Sequence, residues 1–264
     1  MLSRMNAQVF HALIAFGAAF IAGMMNSVAG GGTLISFPAL VWLGRDPIIA
    51  NATNAVALWP GSLAGMIGFR RELEGTRKWM LILLTPSIIG GLVGAILLLL
   101  TPSPVFAAIV PFLILFATVL FAAGDPIARK LGKPSDEASD PSRGWWTGAA
   151  VFQFFVAVYG GYFGAGMGIL MLAALKLLGL ADIHRMNGLK NLFAFSINGV
   201  ASVYFIWSGK INWADAAVMA VGAMIGGYGG ASIARKLGRD FVRRTVILIG
   251  FGMAVSLLLK RFFS

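Results

Sequence analysis

Two glycine-rich segments of the chain have the composition of an anion-binding site. Residues 26–33 have the sequence Asn-Ser-Val-Ala-Gly-Gly-Gly-Thr, and residues 160–168 have the sequence Gly-Gly-Tyr-Phe-Gly-Ala-Gly-Met-Gly. Each glycine in a helix interior costs roughly 1 kcal/mol relative to alanine, so both segments predict an interrupted helix. A helix that restarts after such a break points its N-terminal N–H groups at the break, where they attract negative charge. We therefore expect two sites at which backbone amides favour an anion.

The residues at the two breaks each suit two roles. Asn26 and Thr33 flank the first break, and either they donate hydrogen bonds to an anion or they cap the restarting helix. The glycines let a ligand approach the backbone, but glycine also permits close helix packing, which alone explains the pairs at 90–91 and 226–227. The candidate binding residues at the breaks are Asn26, Gly30, Gly31, Gly32, Thr33, Gly164, Ala165 and Gly166.

Lys190 is the charge that most suggests function, because it lies inside an apolar segment. A charged side chain at membrane depth is a functional candidate, and lysine pairs with an anion as a compact point charge. The alternative is that Lys190 lies near a helix end and extends to the lipid headgroups. Asn187 and Asn191 lie at the start of the same segment, and these polar neighbours favour the functional interpretation.

A polar stripe at helical spacing runs along the same segment, formed by Asn187, Asn191, Asn198 and Ser202. Such a stripe lines a substrate path or forms hydrogen bonds between helices, which contribute only about 0.6 kcal/mol on average. We expect Asn191, and Asn54 in the corresponding segment of the first half, to contact the anion. For Asn198 and Ser202 we expect packing.

Other reactive groups are sparse. The chain has no cysteine and two histidines, His11 and His184, which do not form a metal pair. Gln153 and Tyr159 are single polar residues in one apolar segment and are expected to pack, and Asp215 is expected at the membrane interface. No pair of carboxylates falls within the apolar segments, and no Walker motif is present. These observations predict neither an enzyme nor a cofactor nor a metal site.

The composition predicts an integral membrane protein. Of 264 residues 58% are hydrophobic, and the runs 80–100 and 105–123 are long enough to cross ~30 Å of hydrocarbon. The net charge of +11 arises from lysines and arginines in short loops, so it indicates positive-inside orientation and not nucleic-acid binding. The first apolar run has no clear cleavage site and is expected to remain as the first span.

The apolar segments divide the chain into two similar halves. We expect a first transmembrane repeat over 1–123, a polar cytoplasmic linker over 124–144 and a second repeat over 145–264. Each repeat has five apolar segments, of which the second is short. The expected segments are 7–28, 34–43, 48–69, 79–100, 105–123, 145–163, 169–178, 187–207, 213–234 and 244–259.

The placement of basic residues predicts that the halves have opposite orientations. In the first half the loop 70–78 is basic and the turn 101–104 is uncharged. In the second half the turn 208–212 has one lysine, and the later loop 235–244 is basic. If basic loops are cytoplasmic, the second half is upside down relative to the first, a plan that recurs in transporters.

The chain resembles the TauE/SafE family of sulfite exporters. The first half carries the resemblance in residues 22–33, Pro38 and 52–54, and the second half carries it in 160–168 and 184–191. The match implies export of sulfite or a small organosulfur anion across a bacterial inner membrane, and it adds Thr53 to the candidate binding residues.

The sequence thus predicts an all-α polytopic membrane protein, with two inverted repeats and a substrate site at their interface. The expected function is export of a small sulfur-containing anion by alternating access. An anion channel, or uptake or export of another small carboxylate or sulfonate, remains the alternative. Besides the anion, the expected partners are the lipid bilayer and further copies of the chain in a homo-oligomer.

Overall fold

The computed structural model describes residues 2–28, 31–68, 70–130, 143–178, 180, 182–237 and 239–263. Within these ranges the chain is all-helical, and each of the ten apolar segments expected from the sequence is confirmed as a helix. The helices are α1 (Leu2–Val28), α2 (Thr33–Trp42), α3 (Pro47–Gly68), α4 (Arg77–Leu100), α5 (Ser103–Lys130), α6 (Arg143–Tyr162), α7 (Met167–Leu177), α8 (Ile183–Trp207), α9 (Trp213–Leu237) and α10 (Arg239–Phe263).

Several helices extend beyond the expected bounds; α1 and α10, for example, each begin five residues early. Helix α5 continues to Lys130, so the first seven residues of the predicted linker are helical, while 131–142 lie outside the described residues. Helix α8 begins at Ile183, four residues before the expected start, because the Asp182 carboxylate accepts the His184 N–H at 2.8 Å and caps the helix.

The described helices fit a chain that crosses a membrane several times. Four stretches are long and apolar enough to span, namely Asn6–Asn26, Arg77–Leu100, Ser103–Ala123 and His184–Trp207. Helices α2 and α7 have only 10 and 11 residues. At 1.5 Å per residue they are ~15 Å long, about half of the hydrocarbon thickness.

Both glycine-rich segments interrupt the helices, as predicted. Gly31, between α1 and α2, has φ of 87°, and Gly164 and Gly166, between α6 and α7, have φ of 80° and 77°. A side chain disfavours this left-handed region, so glycine lets the chain leave one helix and enter the next. Gly30 lies outside the described residues.

Helices α1, α3 and α9 run in the same direction. His11 of α1 contacts Asp215 of α9, and Phe20, farther along α1, contacts Gly226, farther along α9, so the contacts advance in the same order along both helices. The side chain of Thr53, early in α3, contacts the start of α9 in the same way. The end at which these three helices begin is here called the Arg45 end, after the residue that precedes α3.

Helices α4, α6 and α8 run in the opposite direction. The last residue of α6, Tyr162, contacts Asn51 near the start of α3, and Thr101 at the end of α4 contacts the Tyr162 ring hydroxyl. Helix α8 begins beside the short 3-10 turn Arg71–Leu73, which follows α3. This opposite end, where α3 finishes and the basic loop 70–78 lies, is here called the Arg70 end.

Glycines bring two pairs of helices into close contact. A Cβ on Gly90 would clash with the backbone of Phe154, and one on Gly226 would clash with the backbone of Phe20. The predicted packing role is therefore confirmed for Gly90 in the pair α4·α6 and for Gly226 in the pair α1·α9. A Cβ on Gly91 would crowd Ile197 and Val200 of α8, whereas one on Gly227 would meet a single atom at 3.8 Å.

Asp215, in the first turn of α9, is buried among protein side chains and ion-paired. It is 4% exposed. Its carboxylate accepts from the Arg45 guanidinium at 2.6 and 3.2 Å and lies 3.0 Å from His11 Nε2. Because a buried carboxylate requires partners, this cluster holds the loop before α3 against α1 and α9.

Candidate functional site

A cavity of about 700 Å³ lies between the two helix breaks. Residues of α3 and α8 form much of its wall, and both breaks contribute to it. Its wall includes Gly23, Asn26, Gly31, Thr33, Asn51, Asn54, Pro60, Ser62, Phe163, Gly164, Gly166, Gly168, Asn187, Lys190, Asn191, Asn198, Ala201 and Tyr228. The two segments that the sequence singles out, 134 residues apart at Gly30 and Gly164, therefore border one space.

Most of the predicted site residues meet in this cavity. Asn26, Gly31, Thr33, Asn54, Gly164, Gly166, Lys190 and Asn191 all line it. Gly32, Thr53 and Ala165 do not, and each of them has a contact that explains its place beside the site.

Gly32 supports the first break through packing and one hydrogen bond. Its N–H donates to Asn26 Oδ1 at 2.8 Å, and a Cβ in its place would clash with the backbone of Ala22. Thr33 is the first residue of α2 and makes no capping bond, so it is Asn26 that holds the start of this helix. The predicted capping role thus falls to Asn26 and not to Thr33.

Thr53 and Ala165 support the site from outside the cavity. The Thr53 hydroxyl accepts the N–H of Asn212 at 3.0 Å, which ties α3 to the start of α9. The carbonyl of Ala165 accepts the Tyr159 hydroxyl at 2.6 Å, so a side chain of α6 fixes the turn that follows that helix. Gln153 donates to Ser87 of α4 at 2.8 Å. The packing role predicted for Gln153 and Tyr159 is confirmed.

Lys190 is the only charged residue among the described residues of the cavity wall. Its Nζ donates to Asn187 Oδ1 at 3.2 Å, one turn earlier in α8. No carboxylate lies within ion-pairing distance of it in the described part of the chain. The wall therefore carries a positive charge whose partner within the protein is a neutral amide, which favours a negatively charged ligand.

Asn54, on the cavity wall, has a side-chain oxygen without a hydrogen-bond partner in the described structure. The residue is 2% exposed, and its Oδ1 is buried without a partner among the described residues. Leaving such a group unsatisfied costs about 1–3 kcal/mol. The oxygen can only accept a hydrogen bond, so it is the NH2 group of the same amide that is able to donate to an anion in the cavity.

The polar residues of α8 divide between the cavity wall and the helix packing, but not as expected. Asn187, Asn191 and Asn198 line the cavity, while Ser202 is fully buried outside it and its Oγ has no partner in the described structure. The packing role predicted for Ser202 fits this position, whereas Asn198 belongs to the cavity wall.

Sequence reasoning missed several wall residues of α3. Asn51, Pro60 and Ser62 line the cavity together with Asn54. The spacing of Asn51, Asn54 and Ser62, at three and eight residues, places them on one helical face. That periodicity was present in the sequence and matches the stripe recognised in α8.

The described helices, the two breaks and the charged cavity define a multi-pass membrane transporter. The family model "Sulfite exporter TauE/SafE" matches residues 15–257. The chain belongs to the TauE/SafE family, and the resemblance seen in the sequence is confirmed.

Curated relatives of the chain are named as transporters in general terms. A "Probable membrane transporter protein" of Haemophilus influenzae is 29% identical over 251 residues, 92% of this chain and 93% of that protein. The "Probable membrane transporter protein YfcA" of Escherichia coli K12 is 27% identical over 93% of this chain and 88% of its own length. The Bacillus subtilis "Probable membrane transporter protein YunE" is 29% identical over 87% and 92%. No solved structure matches the chain.

Proposed function

We propose that this protein exports sulfite or a related small organosulfur anion across the inner membrane of a bacterium. The observation that carries the proposal is Lys190, the single charge on a cavity wall to which no described carboxylate contributes. A cation substrate would require acidic groups on this wall. The family name supports sulfur oxyanions as the substrate class.

In this proposal the anion is held by charge and by amides. Lys190 supplies the charge, and the side chains of Asn54 and Asn191 donate hydrogen bonds to the anion oxygens. The backbone at Gly31 and at Gly164 to Gly166 lies at the N-terminal ends of α2 and α7, whose dipoles add to the positive potential. Gly32, Thr53 and Ala165 position the anion-binding residues from outside the cavity. Gly30 precedes Gly31 in the first glycine-rich segment and is part of the same proposed site.

The two halves are inverted copies that move against each other in alternating access. Helix α1 corresponds to α6, α3 to α8 and α4 to α9, and the members of each pair run in opposite directions. The helix contacts agree with this pairing. Helix α1 packs on α9 and its counterpart α6 packs on α4; in the same way, α3 packs on α9 and its counterpart α8 packs on α4. The repeats are 1–123 and 145–264, joined by a linker over 124–144, and the basic Arg70 end is cytoplasmic.

Flux of sulfite into proteoliposomes tests this function. Lys190→Ala removes the charge and should lower the flux at least about tenfold, which corresponds to ~1.4 kcal/mol. Gly31→Leu places a large side chain at a left-handed φ on the cavity wall and should abolish it. Lys210→Ala, at an exposed lysine in the turn before α9, is the matched control and should leave the flux unchanged.

The outcome that removes the proposal is unchanged sulfite flux in both Lys190→Ala and Gly31→Leu. The identity of the anion follows from the thermal stabilisation of the purified protein by sulfite, sulfate, thiosulfate, taurine and sulfoacetate. The best substrate should stabilise the protein most, and its effect should disappear in Lys190→Ala.

A further inference from the structure

We propose that four aromatic residues, Phe37, Phe106, Tyr162 and Phe163, form a gate that closes the cavity at the Arg45 end. Phe163 is the part that moves. This set is here called the aromatic gate. The inference rests on the alternating access of the proposed function and assigns residues to its closed side.

The aromatic gate lies directly behind the cavity wall. Phe163 lines the cavity and is 4% exposed, whereas Phe37 and Phe106 are fully buried and do not line it. Phe37 of α2 meets Phe163 edge to face, with ring centroids 5.3 Å apart, and Phe106 of α5 lies 6.5 Å from Phe37. An anion leaving the cavity in this direction would have to displace these rings, which offer it no hydrogen bond.

Polar contacts hold the aromatic gate at the Arg45 end. The Tyr162 carbonyl accepts the side-chain amide of Asn51 at 3.0 Å, and the Tyr162 ring packs on Phe106 at 5.6 Å. Asn51 belongs to the first turns of α3, and Tyr162 is the last residue of α6. The contact therefore joins the set α1, α3 and α9 to the oppositely directed set α4, α6 and α8.

The exposed part of the cavity wall lies toward the other end. Asn26, Pro60 and Tyr228 are exposed, and all three lie in the second half of their helices, α1, α3 and α9. These halves approach the Arg70 end. In contrast, Asn51 and Asn54, in the first half of α3, are 3% and 2% exposed. The structure thus has an accessible wall toward the basic loops and a closed wall at the aromatic gate.

The backbone next to Phe163 is suited to a hinge. Phe163 lies directly after α6 and directly before Gly164, and both Gly164 and Gly166 have positive φ. Residues at the ends of elements absorb the φ and ψ changes of gating motions. A rotation in this glycine turn would swing the Phe163 ring away from Phe37 without unfolding α6 or α7.

Cysteine labelling tests the gate without any need for substrate flux. The chain has no cysteine, so Ala201→Cys introduces a single thiol on the cavity wall, in the half of α8 that approaches the Arg45 end. The thiol is labelled with a membrane-impermeant quaternary-ammonium methanethiosulfonate, in vesicles of both orientations. The variants are Phe163→Ala, the milder Phe163→Val and, as matched control, Phe193→Ala, which removes an equally buried ring outside the gate.

With Phe163 intact, the thiol should react mainly from the Arg70 face. Phe163→Ala should raise the labelling rate from the Arg45 face about tenfold, and Phe163→Val should raise it less; Phe193→Ala should leave it unchanged. The gate is refuted if a folded Phe163 variant is labelled no faster, if Phe193→Ala has the same effect, or if the parent protein is labelled equally from both faces. Because labelling needs no transport, a protein that fails to carry sulfite can still have this gate, and one that carries sulfite can lack it.

Discussion

The indole of Trp59 on α3 stacks on the ring of Phe195 on α8, with centroids 5.6 Å apart and an interplanar angle of 27°. Each lies twelve residues after the first residue of its helix, from 47 to 59 and from 183 to 195. Asn54 and Lys190 also hold equal positions, because each lies seven residues after the first residue of its helix. The stack therefore marks the place where α3 crosses α8, and the cavity beside it is lined by the Asn54 amide of α3 and the Lys190 cation of α8.

The stack predicts two different outcomes at Trp59. Its Nε1 is buried without a partner in the described structure, so Trp59→Phe removes a polar group that is already unsatisfied. We expect this change to alter the free energy of unfolding by less than ~1 kcal/mol, and Trp59→Ala to lower it by ~3–5 kcal/mol. Thermal unfolding in detergent measures both, with Trp207→Ala, at an 82% exposed position, as control. Equal losses in the two Trp59 variants would show that the indole N–H has a partner.

Asn54 and Thr53 should respond in opposite ways to loss of their polar atoms. Asn54→Leu removes the unsatisfied Oδ1, so stability should be kept or raised, while the stabilisation by sulfite should fall about tenfold in apparent affinity. Thr53→Val leaves the Asn212 N–H unpaired, so stability should fall by ~1–3 kcal/mol with the response to sulfite retained. Thermal shift against sulfite concentration measures both. If both variants lose stability and keep the sulfite response, Asn54 has a structural role only.

Replacing a glycine by alanine should destabilise the protein for a different reason at each break. Gly166 has φ of 77°, and a Cβ there would lie 3.4 Å from the nearest atom, so Gly166→Ala should cost only the ~1–2 kcal/mol of the left-handed backbone. Gly32 has φ of −55°, yet its Cβ would clash with the Ala22 backbone. Gly32→Ala should therefore cost ~3 kcal/mol or more, because α1 and α2 must separate. Unfolding of the two purified variants compares these costs, and a smaller loss for Gly32→Ala would contradict the packing role.

The sequence was sufficient to predict the helices, the two helix breaks and the place of Lys190 on the cavity wall, because each of these depends on local composition. Apolar runs of about 20 residues and glycine clusters have few alternatives at membrane depth. The partners of the predicted residues depend on tertiary contacts that no local pattern encodes. Gly31 and Gly32 are neighbours in one run of glycines, yet Gly32 packs on α1 and Gly31 lines the cavity.

Asp215 illustrates a further limit of the sequence. Its position near a helix start suggested the membrane interface, where a single acid is usually solvated. The partners that keep it buried, His11 and Arg45, lie 204 and 170 residues away in sequence. The burial of a charge depends on whether such distant groups converge, and periodicity carries no information about that.

The cluster around Asp215 should contribute strongly to stability. Removing one partner of a buried ion pair leaves an uncompensated charge and costs about 3–5 kcal/mol. We expect Asp215→Asn to lower the free energy of unfolding by less than this, ~1–3 kcal/mol, because the side chain of Arg45, the charge left behind, is 34% exposed to solvent. Asp182→Asn is the matched control, since Asp182 is half exposed and pairs with Arg185 only at 3.7 Å. It should change stability by less than ~1 kcal/mol.

Two further measurements separate the cluster from a solvated ion pair. Because Asp215 is shielded from solvent, its contribution should persist at 1 M salt, where screening acts over only ~3 Å of water. In a double-mutant cycle, Asp215→Asn combined with Arg45→Gln should cost less than the sum of the single changes, since the second change removes the stranded charge. Additive losses, or an effect of Asp215→Asn that vanishes at high salt, would mean that the cluster is solvated and does not hold the start of α3 against α1 and α9.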